Sequence, residues 1–162
     1  RLKWRYKKMI KVLFICHGNI CRSPMAEFIF RDMVEKRGLG DEFFVASAAT
    51  SREEIGNPVY PPAKRKLKEH GIDPSGKTAR QMTARDYKDY DYLLAAERYN
   101  IRNMERITGG DPEHKIFRLL DFSDRPRDIA DPWYTGDFDE AWDDIEEGCR
   151  AFLGWLEREG KI

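Results

Sequence analysis

The sequence predicts an α/β fold: a single domain built on a central parallel four-stranded sheet, flanked by helices on both faces, with a phosphate-binding loop directly after the first strand. Three observations carry this. Short apolar runs alternate with longer helical patterns, and no internal repeat or low-complexity linker interrupts them; crossover helices between parallel strands are written this way. The chain has 162 residues, 41% apolar and 12% aromatic, which suffices for one core and matches the usual size of one domain. The first apolar run leads into Cys16-His17-Gly18-Asn19-Ile20-Cys21-Arg22-Ser23 and then a proline. A strand end and a helix start thus bracket a short loop, at the place where such sheets bind ligands.

In chain order, the strands are expected at Lys11 to Ile15, Phe43 to Ala46, Tyr92 to Ala95 and Ile116 to Arg118. The first helix runs from Pro24 to Arg37. Proline fits a first turn, and Met25, Phe28, Ile29 and Met33 form its apolar face. The next helices are Pro61 to His70, stopped by Gly71, then Ala84 to Tyr87 and Arg98 to Ile107. His70 is expected to cap the end of its helix. The last helix, Phe138 to Glu159, carries Phe138, Trp142, Ile145, Cys149, Phe152 and Leu156 in one stripe at spacings of three and four. That stripe is core, and Cys149 within it is a small buried hydrophobe. Glu140, Asp143, Asp144, Glu146 and Glu147 suit the start of that helix and a solvated face, not the paired carboxylates of a glycosidase.

Residues 1–8 read as a basic, flexible extension ahead of a domain over 9–162. Followed by the apolar run, they imitate a secretion signal, but the run is too short and enters the loop at once. No stretch has transmembrane length. Lys plus Arg and Asp plus Glu stand at 29 each, so the chain as a whole offers no basic field for nucleic acid or an anionic membrane. Three cysteines, two of them in one loop, make no disulfide framework, and three scattered histidines make no metal site. These features point to a reducing, cytoplasmic setting without a cofactor.

The loop itself has a definite chemistry. Successive backbone N–H groups between a strand end and a helix start can converge on an oxyanion, aided by the helix dipole. Gly18 is expected to supply backbone angles closed to side chains, and Asn19 to accept a left-handed conformation. Cations and a helix N-terminus favour the thiolate, which makes Cys16 the candidate nucleophile. Arg22 offers a planar fork matched to two phosphate oxygens. Ser23 can cap the helix or donate to the Cys16 sulfur. His17 stands where it either touches substrate from the loop rim or remains an exposed bystander.

Thiolate attack on a phosphate ester also needs a proton donor for the leaving oxygen. Asp131 is the candidate. It lies in Asp128-Ile129-Ala130-Asp131-Pro132-Trp133-Tyr134, where Pro132 holds it extended on a loop. Trp133 and Tyr134 are expected to wall a flat substrate ring and to exclude water from the acid.

These residues resemble the low-molecular-weight protein-tyrosine phosphatases. The likeness runs from about Ile10 to Phe152, through Cys16 to Glu27 (CHGNICRSPMAE), Ser47-Ala48-Ala49-Thr50, His70-Gly71-Ile72, Ala79-Arg80-Gln81 and Asp131-Pro132-Trp133-Tyr134. The resemblance implies a metal-free phosphocysteine mechanism with Cys16 as nucleophile, Arg22 as phosphate clamp and Asp131 as general acid. Gly18, Asn19, Ile20, Cys21 and Ser23 would line the substrate loop with His17. Asn19, Ser23 and Ser47 would form the hydrogen-bond network that shapes it, and phosphate or sulfate would fit inside. It also implies a reversible Cys16–Cys21 disulfide, with Cys21 as redox partner. Implied partners are phosphotyrosine-containing proteins or small aryl phosphates.

Departures from the family pattern bear on substrate and on support of the loop. Ala49 replaces a frequent glycine, Glu53 stands where an aromatic often lines the pocket, Lys77 replaces a histidine, and Ala96-Glu97 replaces Met-Asp. An arsenate reductase on the same fold would need two further cysteines close together. A protein-arginine phosphatase would carry a small hydroxyl residue at Ile20, whose bulk favours an aryl phosphate. A phosphate-accepting cysteine carrier would not need Arg22 or Asp131, and a non-catalytic phosphopeptide-binding module would not need Cys16.

Overall fold

The computed structural model describes residues 8–162. The expected basic extension therefore lies outside the described residues except for Lys8, which is exposed.

Strand β1 (Ile10–Cys16) is the centre of the sheet. It pairs in parallel with β2 (Phe43–Ala49) on one side and β3 (Tyr92–Ala95) on the other, and β4 (Ile116–Arg118) completes the sheet beyond β3. Val12 to Cys16 are at most 3% exposed. A strand covered on both faces has no polar side to show, which is why it reads as an unbroken apolar run. β2 is longer than its sequence indicates, because Ser47, Ala48 and Ala49 pair with Phe14, Ile15 and Cys16.

Six helices accompany the sheet among the described residues: α1 (Arg22–Lys36), α2 (Pro61–Glu69), α3 (Ala84–Asp89), α4 (Arg98–Thr108), α5 (Pro132–Thr135) and α6 (Phe138–Arg158). Alternate residues of a strand face opposite ways. Val12, Phe14 and Cys16 accordingly pack with Phe30 of α1, Leu67 of α2 and Phe152 of α6, while Leu13 and Ile15 pack with Tyr87 of α3 and Met104 of α4. The α6 stripe is buried as its spacing requires: Trp142, Ile145, Cys149, Phe152 and Leu156 are all at most 5% exposed. Asp137 caps this helix by accepting the Glu140 N–H at 2.9 Å. His70 ends α2, its Nδ1 lying 3.1 Å from the Lys66 carbonyl and its ring stacked 3.8 Å from Trp142.

Two local expectations are corrected. α1 begins at Arg22, with Cys21 in the cap position and no side-chain cap, so Ser23 lies inside the first turn and does not cap it. The segment after Asp131 is a short helix, not an open loop. Pro132 occupies its first turn, and Asp131 caps it by accepting the Trp133 N–H at 3.0 Å.

Gly148 brings α6 against Leu119 in the turn at Leu119–Phe122. A β-carbon there would stand 2.5 Å from Leu119 Cγ. Leu119 is 2% exposed and has no room to yield. Overpacking of this kind costs about 1–3 kcal/mol, against a helix-propensity gain of up to about 1 kcal/mol. Gly148→Ala is therefore expected to lower the melting temperature by several degrees; an unchanged or raised melting temperature in calorimetry would contradict the packing.

No helix among the described residues is long and apolar enough to cross a membrane. Because β2 and β3 lie on opposite sides of β1, the chain changes direction across the sheet at the carboxyl end of β1. A crevice opens at such a point. Cys16, Ala49 and Ala95 end their strands along that edge.

Candidate active site

The loop from Cys16 to Arg22 folds around the Cys16 sulfur. The Asn19 and Ser23 amides donate to Sγ at 3.3 and 3.4 Å, and the Ser23 hydroxyl lies 2.9 Å from it. Asn19 holds φ at 60°, the left-handed conformation that asparagine tolerates. Gly18 behaves otherwise than its type suggested. It is absent from the positive-φ residues, and what its missing side chain provides is space: a β-carbon would stand 3.3 Å from Glu54 Cγ.

A buried polar chain fixes the loop from behind. Asn19 Oδ1 accepts the Arg80 N–H at 3.2 Å, which turns its amide nitrogen toward Ser23 Oγ at 2.8 Å and Ser47 Oγ at 2.9 Å. With Asn19 donating to both hydroxyls, each keeps its own proton for a second partner. Ser47 gives its proton to Glu27 Oε1 at 2.6 Å, and Ser23 is left to point its own at the Cys16 sulfur. Glu27, 5% exposed, also meets Arg31 at 2.5 Å. Lys77 donates to the Ser47 carbonyl at 2.9 Å and lies 3.8 Å from Glu27. Burial pulls the Lys77 pKa below its ordinary value, and the nearby Glu27 charge opposes that pull.

Arg22 is 2% exposed and three oxygens orient it. Its Nη1 donates to the Ile129 carbonyl at 2.7 Å, and its Nη2 stands 2.7 Å from Glu97 and 3.3 Å from Asp131. Burial acts to lower its pKa, but Cys16, Asp131 and Glu97 together outweigh that effect and hold the guanidinium above its usual value. Nε makes no bond to protein among the described residues. Glu97 is the residue that sequence reasoning passed over as a mere departure from pattern. It follows β3 at the same sheet edge as Cys16, and an acid at that edge of a parallel sheet was the available signal.

These groups enclose a cavity of about 100 Å³. Cys16, Gly18, Ile20, Cys21 and Arg22 line it from the loop, and His17, Glu53 and Glu54 line it as well. His17 Nε2 lies 3.0 Å from Glu53 Oε2. Asp131, Trp133 and Tyr134 complete the lining. Trp133 packs 4.7 Å from Tyr60 and is half exposed. Tyr134 is 83% exposed, so it does not shield Asp131 from water as expected. Cys21 is 4% exposed and unbridged, and burial first, then the Cys16 charge, push its thiol pKa upward. Ser47 stands outside the cavity and reaches the sulfur only through Asn19 and Ser23. Among the described residues, no cluster of three or more His, Cys, Asp or Glu side chains could hold a metal.

The fold and the cavity define a doubly wound α/β protein that carries a thiol in the lining of a small cavity beyond the end of β1. The family model described as low molecular weight phosphotyrosine protein phosphatase matches residues 11–162, and the chain belongs to that family. A low molecular weight protein-tyrosine-phosphatase of Bacillus subtilis, YfkJ, is 40% identical over 156 residues, covering 95% of this chain and all of the relative. Its crystal structure superposes with a TM-score of 0.88 at 42% identity, over 94% of this chain and 97% of that one. The human low molecular weight phosphotyrosine protein phosphatase is 40% identical over 88% of this chain and 92% of its own. DARP, a Drosophila arginine phosphatase, superposes with a TM-score of 0.84 at 32% identity, over 91% of this chain and 98% of that one.

Proposed function

We propose that this chain hydrolyses phosphotyrosine in proteins, and small aryl phosphates, through a phosphocysteine intermediate on Cys16. One observation carries the reading: the Cys16 sulfur accepts two backbone N–H groups and lies 2.9 Å from the Ser23 hydroxyl, in a cavity whose lining includes both Arg22 and Asp131. The sulfur attacks phosphorus in line as the thiolate, the bond from phosphorus to the phenolic oxygen breaks, and Asp131 gives that oxygen its proton. Water then attacks the phosphocysteine and yields a proton to Asp131. The thiolate departs toward the Ser23 hydroxyl, leaving inorganic phosphate. Arg22 and the loop amides hold the equatorial oxygens throughout, and Glu97 keeps the guanidinium aimed. No metal is required. Inorganic phosphate, as product, is expected to occupy the loop and inhibit. A thiolate chemistry of this kind fits a reducing compartment, and the cytoplasm is the proposed location.

The test is parallel hydrolysis of phosphotyrosine, phosphoserine and phosphoarginine peptides. Ile20, 8% exposed in the cavity lining, gives the loop an apolar side suited to an aryl ring. Phosphotyrosine turnover is expected to exceed the others by about tenfold or more. The likeness to the arginine phosphatase makes the competing outcome concrete, because comparable phosphoarginine turnover would overturn the tyrosine assignment.

A further inference from the structure

Of the charged groups lining the cavity, Glu53, Glu54 and Asp131 are acidic, against a single permanent cation, Arg22. Arg22 is buried behind the loop and already committed to Glu97, Asp131 and the Ile129 carbonyl. Once a phosphate monoester sits in the loop, that cation faces the phosphate and offers nothing outward. What the rest of a substrate meets is the rim. Glu53 reaches into solvent with 68% of its side chain exposed, and its neighbour is His17. Glu54 is held more firmly: Asn57 donates its side-chain amide to Glu54 Oε1 at 2.8 Å and its backbone N–H to the Glu54 carbonyl at 2.9 Å. The Glu54 stem also lies against Gly18 of the loop, so its carboxylate is carried close to the phosphate site. Burial first, then Cys16 and Asp131, push the Cys21 thiol pKa up; Arg22 opposes them, and Glu54 adds the smallest push. Arg52, next in sequence, is exposed but lies outside the lining.

We infer that Glu53 and Glu54 make the pocket mouth a charge filter, so that the preferred substrates are phosphotyrosines flanked by lysine or arginine, with acidic flanks disfavoured. The inference rests on the phosphotyrosine reading above and specifies its substrate class. Residues next to the phosphotyrosine in an extended peptide stand about 3.5 Å apart along the chain, so several of them fall within a Debye length of both carboxylates, about 10 Å at 0.1 M salt. Each exposed charge pair acts weakly, but several acting together shift encounter and binding in one direction. Like charges on an acidic flank are rejected by the same carboxylates.

The experiment compares two phosphotyrosyl peptides identical except for flanks of lysine or of glutamate, hydrolysed by the wild-type chain, by Glu53→Gln/Glu54→Gln and by Glu53→Lys. At about 0.05 M salt the wild type is expected to favour the lysine-flanked peptide in kcat/KM by about tenfold, narrowing to within about threefold at 0.5 M. The double variant should narrow the ratio at low salt, and Glu53→Lys should narrow or invert it. Because the ratio is internal to each variant, a general loss of activity cancels from it. Equal turnover of both peptides by the wild type, or a ratio that the double variant leaves unchanged, overturns the charge filter alone. Failure to hydrolyse either peptide overturns the phosphotyrosine reading and the filter with it.

Discussion

Cys16→Ser is expected to reduce kcat on phosphotyrosyl peptides and on p-nitrophenyl phosphate by about 10⁴-fold or more, with the fold and phosphate binding retained. The substitution exchanges one atom in a tightly held position. The Asn19 and Ser23 amides and the Ser23 hydroxyl that surround the sulfur remain to bond an oxygen. What changes is the nucleophile, since a hydroxyl is far weaker toward phosphorus than a thiolate, and none of the described residues bonded to that atom is a general base. Phosphate binding should survive, because in the proposed mechanism the anion is held by the loop amides and Arg22 and not by the thiol. Trp133 lies in the cavity lining, so its emission on titration with inorganic phosphate can report this directly. A serine variant retaining activity within about tenfold of the wild type would remove Cys16 from the mechanism.

The parts legible in the sequence share a physical cause. β1 and the α6 stripe were readable because burial on two faces, or on one face at helical spacing, writes itself into residue type over a continuous run. The loop was readable because its residues are neighbours in the chain. Glu97, Glu27 and Lys77 were not, since their placement depends on which strands lie side by side. Glu97 reaches Arg22 only because β3 pairs with β1. Lys77 reaches the Ser47 carbonyl from the segment that crosses the end of β2, where Gln81 bridges to Ala49. Gly18 was read for the wrong property, since glycine type alone cannot separate a need for unusual backbone angles from a need for space. Ser23 had two compatible roles in the sequence. The early start of α1 at Arg22 leaves it only the sulfur.

This arrangement also explains how an arginine can be buried beside a cavity proposed to take an anion. A guanidinium at 2% exposure would be costly alone, but Glu97, Asp131 and the Ile129 carbonyl satisfy it in place. The partners differ in what they can do next. Glu97 is the closer partner at 2.7 Å and lies outside the cavity lining, so its place is to orient Arg22. Asp131, at 3.3 Å, is the looser partner and belongs to the cavity wall, as the proposed proton donor must.

Asp131→Asn is accordingly expected to separate substrates by their leaving groups. For phosphotyrosine and phenyl phosphate, whose oxygens must be protonated as they depart, kcat should fall by about 10²- to 10³-fold. For a dinitrophenyl ester, which leaves readily as the anion, the fall in phosphocysteine formation should be about tenfold or less. The variant is conservative in structure. Asparagine keeps an oxygen to accept the Trp133 N–H, so the cap of α5 persists, and Glu97 still holds Arg22. A loss that followed distortion of the loop would strike both kinds of ester equally. The ratio between them therefore reads proton delivery and nothing else, and an equal fall across the leaving-group series would assign the proton to another donor.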